Sequence, residues 1–255
     1  MAGGVQIDRD GRVGICRIAS PETRNALSPG LLNAIAQGLE TLASDPDTRA
    51  IVLAGSDEVF ATGADPATLG AAGSELPHEA TAAFWDRLAA IELPIVAATS
   101  GWALGTGFEL ALACDMIVAT KATRLGQPEV ALGLIPGGGA TQRLTRVLGK
   151  QRTMELILTG RRMGGEQAYK YGLVNVLADK RHWLQAAVDL AAGIAERAPI
   201  AVRLAKRAVL AADRENLEEG LATERELLAQ AMATEDRVEG VNAFLEGRPP
   251  RFEGR

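Results

Sequence analysis

Cysteine and histidine are scarce in this 255-residue chain, with two of each, and the scarcity removes several chemistries at once. Cys16 and Cys114 stand far apart among apolar neighbours, which predicts reduced core thiols rather than a disulfide framework and suits the cytoplasm. His78 and His182 have neither the spacing of a metal site nor a nucleophile pattern beside them, so both are expected at the surface and no metal site is expected. Aromatic residues make up 4% of the chain, too few to line a sugar-binding cleft with stacking platforms. No block of one charge sign exists. The 27 Lys and Arg and 32 Asp and Glu, net −5, are scattered, which leaves no electrostatic footprint for nucleic acid or an anionic membrane. The start, Met-Ala-Gly-Gly-Val-Gln-Ile-Asp, lacks the basic and apolar regions of a secretory signal and the pattern of a transit peptide. The long charge-poor segment Leu93 to Cys114 contains Pro94, Gly101, Gly105, Gly107 and Glu109, which argue against a membrane span and for a buried strand, a turn and a buried helix.

What is present is ample apolar material, 47% of the residues, in a chain long enough for one large domain or a domain with an appendage. Val13 to Ala19, Ala50 to Ala54, Ile95 to Thr99 and Met116 to Ala119 read as short buried strands. Ser28-Pro29 starts a helix between the first two, with Ser as cap and Pro where no N–H donor is needed. Helical patterns cover about Glu79 to Ile91 and Thr106 to Ala113, so the first half alternates strand and helix as an α/β protein does. The glycine-rich stretch Gly126 to Gly139 predicts an ordered loop, followed by helices from Ala140 and from about Thr153. From Pro199 to Phe244 the pattern is helical throughout, which divides the chain into an α/β unit, 1–197, and an all-helical unit, 198–255.

Two carboxylates stand out by their isolation. Glu109 is the only charged residue between Leu93 and Cys114, and Glu129 the only one between Leu125 and Gln142. An ionised carboxylate is costly to bury alone, so each needs a partner, a shifted pKa or a chemical task. A buried ion pair, with Arg124 or Arg143, is the plain alternative. Both glutamates lie beside glycine-rich turns, which favours a task. Gly105-Thr106-Gly107 opens the helix carrying Glu109, so its amides are free to face developing negative charge. Phe60-Ala-Thr-Gly-Ala-Asp65 is a second glycine-bearing turn after a strand and could supply another N–H. The dinucleotide and P-loop readings both fail on missing glycines: Leu110 stands where the third glycine of a GxGxxG would, and Leu144 where a P-loop needs one.

Gly101-Trp-Ala-Leu-Gly-Thr-Gly-Phe-Glu-Leu-Ala-Leu-Ala-Cys-Asp115 and Leu125-Gly-Gln-Pro-Glu-Val-Ala-Leu-Gly-Leu-Ile-Pro-Gly-Gly-Gly-Ala-Thr-Gln-Arg-Leu144 resemble the signature of the crotonase, or enoyl-CoA hydratase/isomerase, family. The resemblance runs from Arg24-Asn-Ala-Leu27 through Phe60–Asp65 to Glu239–Arg248, nearly the whole chain. It implies a β-β-α spiral core, a C-terminal helical region that builds a homotrimer or a dimer of trimers, and an acyl-CoA thioester substrate with no further cofactor. It also implies roles for single residues. Glu109 and Glu129 match the two positions that hold glutamate in the hydratases, one activating water and the other protonating Cα. Ala64 and Thr106 match the two amide donors to the thioester oxygen. Arg24, Ala26, Thr62, Asp65, Pro66 and Ala67 match the strip that holds CoA. The sequence departs from the family at Thr106, where glycine is usual, and at Ala67, where lysine is frequent.

Within the resemblance a hydratase needs both glutamates, a double-bond isomerase only Glu129, and a non-catalytic scaffold neither, while hydrolases, decarboxylases and ring-cleaving members share the same oxyanion hole, so the fold alone does not choose the reaction. A two-carboxylate glycosidase is a reading from outside the family, and the scarcity of aromatic platforms counts against it.

Overall fold

The computed structural model describes residues 4–65 and 78–255. Two sheets organise it. The larger has the strand order β1 (Gly4–Asp10), β2 (Val13–Ala19), β3 (Ala50–Ala54), β5 (Ile95–Thr99), β7 (Met116–Thr120), β10 (Val176–Ala178). The smaller has the order β4 (Val59–Ala61), β6 (Trp102–Leu104), β8 (Arg124–Gly126), β9 (Arg162–Gly164). The β1–β2 and β8–β9 pairs are antiparallel, and the remaining neighbours run parallel.

The connectivity is a spiral. Each turn sends one strand to the large sheet and the next to the small one, β3 then β4, β5 then β6, β7 then β8, before a helical segment returns the chain. The four strands expected from sequence are present, β7 ending one residue later at Thr120. All five residues of β3 and of β5 are buried, because helices or the second sheet cover both faces, and a strand covered on both faces reads as an unbroken apolar run. Helix α1 (Pro29–Ser44) begins as expected, with Ser28 Oγ accepting from Leu31 N at 3.2 Å and Pro29 in its first turn. Helix α2 (His78–Ala89) is tied to α1 by Arg87, whose Nε and Nη2 each donate to Glu40 at 2.6 Å, while Phe84 and Leu88 enter the core.

Helix α3 (Thr106–Ala113) lies between the sheets and is buried from Gly107 to Leu112. After β8 the predicted loop holds a single 3₁₀ turn, Glu129–Leu132, before α4 (Ala140–Leu148) and α5 (Lys150–Thr159), the latter three residues earlier than its sequence pattern suggests. Two helices that the sequence reading passed over follow, α6 (Gly165–Lys170) and α7 (Trp183–Ala195). The α7 residues Trp183, Ala187, Val188 and Ala191 cover the far face of the large sheet in a second core cluster.

The C-terminal segment is three helices rather than one continuous run: α8 (Pro199–Ala211), α9 (Leu217–Met232) and α10 (Glu235–Glu246). The breaks carry their own signals, a capping box at Asn216 with Glu219 and a cap at Thr234. Lys206 docks α8 on the spiral, donating to Ile91 O, Leu93 O and Asp115 Oδ2 at 3.0, 2.9 and 2.8 Å. Among the described residues no helix is long and apolar enough to cross a membrane.

Candidate active site

Glu109 occupies the first turn of α3 and is 1% exposed. No arginine pairs with it among the described residues. Its Oε1 instead accepts from the backbone N–H groups of Gly138 at 2.7 Å and Ala140 at 3.0 Å, at the end of the glycine-rich loop. Arg143 clamps that loop, its Nη1 donating to Gly138 O at 2.9 Å. Burial holds the Glu109 carboxyl above the usual carboxylate range, opposed by the amides of Ala140, Gly138 and Gly137 and by the Arg143 charge. Gly138 is where a side chain would be fatal to this arrangement, since a Cβ there would stand 2.8 Å from Glu109 Oε2 and 2.3 Å from Trp85 Cζ2.

Glu129 starts the 3₁₀ turn that follows β8 and is half-buried. Its partner is Gln127, fully buried, whose amide nitrogen, in the orientation that matches donors to acceptors, donates to Oε1 at 2.9 Å and Oε2 at 3.0 Å. Burial pushes the Glu129 pKa up to about 7, and the negative charge of Glu109 adds to the shift. The charge of Glu109 thus reaches Glu129, which places the two carboxylates within electrostatic range of one another.

The glycine turns meet at the same place. Gly105 has φ 51°, a left-handed conformation, and a Cβ on it would lie 2.9 Å from Glu129 Oε1. The next residue, Thr106, is the first of α3, so its N–H has no acceptor within the helix. The Gly63 turn packs on Leu104 and Gly105, a Gly63 Cβ position being 3.1 Å from Leu104 O and 3.7 Å from Gly105 Cα. Ala64 forms a parallel bridge with Leu27 in which Gly63 O accepts from Leu27 N at 2.7 Å and Leu27 O accepts from Asp65 N at 3.4 Å. In that ladder the Ala64 N–H is directed away from Leu27.

The bridge also gathers the strip expected to hold CoA. Arg24 is exposed, Ala26, Thr62 and Asp65 are half-buried, and Thr62 Oγ1 donates to Arg24 O at 3.1 Å. Pro66 and Ala67 lie outside the described residues. What fixes the strip is Asn25, which the sequence reading gave no role. It is 3% exposed and, like Arg24, adopts positive φ, 55°. Its Oδ1 accepts from Ser20 N at 2.9 Å and its Nδ2 donates to Phe60 O at 3.0 Å, with longer contacts to Ile18 O and Val59 O. Asn tolerates the left-handed region better than most residues, and these bonds over-determine it here. Gln127 was also missed. Its position two residues before Glu129 matches no periodicity, and only the turn folds its amide back onto the carboxylate.

His182 is exposed at the start of α7, as expected, and the side chain of His78 lies outside the described set. Among the described residues no group of three or more His, Cys, Asp or Glu could hold a metal ion. A hollow on the outer face of the small sheet, lined by Trp102, Lys121, Arg124, Arg162, Lys170 and Tyr171, does not include either glutamate.

A family model described as enoyl-CoA hydratase/isomerase matches residues 8–255, and the chain belongs to that family. It is similar to a probable enoyl-CoA hydratase of Mycobacterium bovis, 42% identical over 98% of both chains. It is 38% identical to a 2,3-dehydroadipyl-CoA hydratase of Escherichia coli, again over 98% of both. Among solved structures, an enoyl-CoA hydratase subunit from Geobacillus kaustophilus superposes with a TM-score of 0.94 at 40% identity, covering 99% of this chain and 98% of that one. The spiral with its C-terminal helices is the fold of this family.

Proposed function

We propose that this protein adds water across the 2,3-double bond of an enoyl-CoA thioester to give a 3-hydroxyacyl-CoA. The observation that carries the reading is the meeting of Glu109, in the first turn of α3, with Glu129, whose Oε1 stands against the Gly105 turn that opens the same helix, beside amides with no acceptor in that helix; the raised pKa of both carboxyls supports it. Glu109 takes a proton from water as the water oxygen attacks Cβ. The electron pair of the double bond moves onto the thioester oxygen, where the N–H groups of Ala64 and Thr106 stabilise the enolate. Glu129 then delivers a proton to Cα, a task suited to a group with a pKa of about 7. Exchange of one proton between the carboxyls and solvent resets the pair. CoA arrives with the substrate, and the chemistry needs no further cofactor.

Arg24, Ala26, Thr62, Asp65, Pro66 and Ala67 form the CoA strip in this reading, Arg24 near the phosphates. Residues 1–197 are the catalytic unit and 198–255 the oligomerisation region of a cytoplasmic homotrimer or dimer of trimers. Support for self-association lies in the C-terminal helices, where Val209, Leu217, Phe244 and Leu245 are 73, 79, 84 and 76% exposed. Sedimentation velocity is expected to give a trimer or hexamer, and a monomer at micromolar concentration overturns that part.

The decisive experiment follows loss of the conjugated thioester absorbance across short, medium and aryl enoyl-CoA substrates, with mass spectrometry of the product. Glu109→Gln and Glu129→Gln are each expected to lower kcat by on the order of 10³-fold. Loss confined to Glu129→Gln would move the assignment to a double-bond isomerase, and wild-type silence across the panel would end the hydratase reading.

A further inference from the structure

The amides of Gly138 and Ala140 hold Glu109 through Oε1, and the Gly137 amide of the same loop adds to them. On the other side of Gly138 stands the indole of Trp85 from α2. A Cβ on Gly138 would meet Cζ2 and Cε2 of that ring at 2.3 and 2.8 Å and Glu109 Oε2 at 2.8 Å, so ring edge and carboxyl oxygen flank one small gap. The ring is itself held. Phe84 packs edge-on against it at 5.0 Å between centroids, and the adjacent Arg87 fixes α2 to Glu40 and to Asn33 of α1. Trp85 Nε1, on the same edge, is shielded from solvent and meets no acceptor among the described residues.

We infer that Trp85 is a positioning residue for Glu109, its indole edge flanking Oε2 across the Gly138 gap and keeping bulk water off it. The inference rests on the role proposed for Glu109 as the base. One substrate water must be held while other water is excluded, and a rigid aromatic edge serves both needs. The charged groups facing Glu109 are Glu129 from the 3₁₀ turn and Arg143 from α4. Trp85 brings no charge, so its influence is desolvation and placement. Gly138 is part of the same device, since any side chain there would separate ring from carboxyl.

The test compares Trp85→Ala and Trp85→Phe in the full-length protein, each checked for native circular dichroism. Opening the ring site with alanine is expected to lower kcat by on the order of 10- to 100-fold with little change in KM. Water reaching Oε2 stabilises the ionised carboxyl, so the acid limb of kcat/KM is expected to move down by about one pH unit. Phenylalanine, which keeps an aromatic wall, is expected to fall between. A folded alanine variant with unchanged kcat and acid limb, or with a loss only in KM, overturns the proposal. Difference infrared titration of the carboxyl band, assigned by Glu109→Gln, reads the same shift without turnover. A band that titrates at lower pH in Trp85→Ala supports the shielding even if wild type hydrates no enoyl-CoA, and an unmoved band overturns it.

Discussion

Glu109 and Glu129, the proposed base and acid, are held by opposite means. Glu109 sits on a buried helix and is gripped by main-chain amides from a loop 29 and 31 residues away. Glu129 sits on a short turn, half-exposed, and its side-chain partner among the described residues is Gln127, two residues before it. A backbone grip fixes the carboxyl in place, because the amides move only if the loop moves. A side-chain grip lets the carboxyl adjust and leaves its proton affinity open to tuning by one neighbour. The difference fits a division of labour, with a fixed base aiming one water and a more accessible acid exchanging its proton with solvent.

Shortening each side chain by one methylene separates a fixed carboxyl from an adjustable one. Glu109→Asp cannot keep its amide bonds and reach the water together, so kcat is expected to fall about 10²-fold. Glu129→Asp, on a turn with more freedom, is expected to lose about tenfold. Equal losses in steady-state kinetics would remove the distinction between a fixed and an adjustable carboxyl.

Gln127→Leu tests the side-chain grip alone. Losing the two N–H donors to Glu129 disfavours its ionised form and raises its pKa. A hydrogen bond to a charged group is worth about 1.5–3 kcal/mol when buried. Partial solvent contact reduces this to an upward shift of about one unit in the alkaline limb of kcat/KM, the limb that requires the Glu129 proton. The acid limb, set by Glu109, should stay in place. Movement of both limbs together would mean that the pair titrates as one unit.

The same contrast explains what the sequence disclosed. Glu109 and Glu129 were legible because a lone charge in an apolar segment is conspicuous, and β3 and β5 because burial on both faces writes an unbroken apolar run. Helix α3 matched its predicted bounds, opening at the glycine turn. Strands β4, β6, β8 and β9 have three residues each, too short for any periodicity, and β1 has no buried residue to mark it. Gln127, Asn25 and Trp85 are ordinary in sequence. Each acquires meaning only when folding brings a carboxylate, a set of strand carbonyls or Gly138 against it, and no spacing rule encodes those meetings. The plain alternative of a buried ion pair is not what the described residues build at Glu109: Arg124 is exposed, and main-chain amides hold the carboxyl while Arg143 adds its charge without a salt bridge.

The smallest expected effect concerns stability rather than rate. The folded-state pKa of Glu129, about 7, lies above its ordinary value of 4.5, so the folded protein favours the protonated form. Below pH 4.5 the carboxyl is neutral in both states and imposes no penalty. As pH rises toward 7 the unfolded chain releases the proton first, and stability falls until the folded carboxyl has ionised as well. Full conversion of that shift would give about 3 kcal/mol, which solvent contact at a half-buried group reduces to about 1–2 kcal/mol. Glu129→Gln keeps an acceptor toward Gln127 and never ionises. It is therefore expected to unfold at a higher temperature than wild type at pH 8, by a few degrees, and at the same temperature below pH 4.5. Calorimetry at the two pH values checks this, and a difference that persists at low pH would place the cause in packing rather than in the charge.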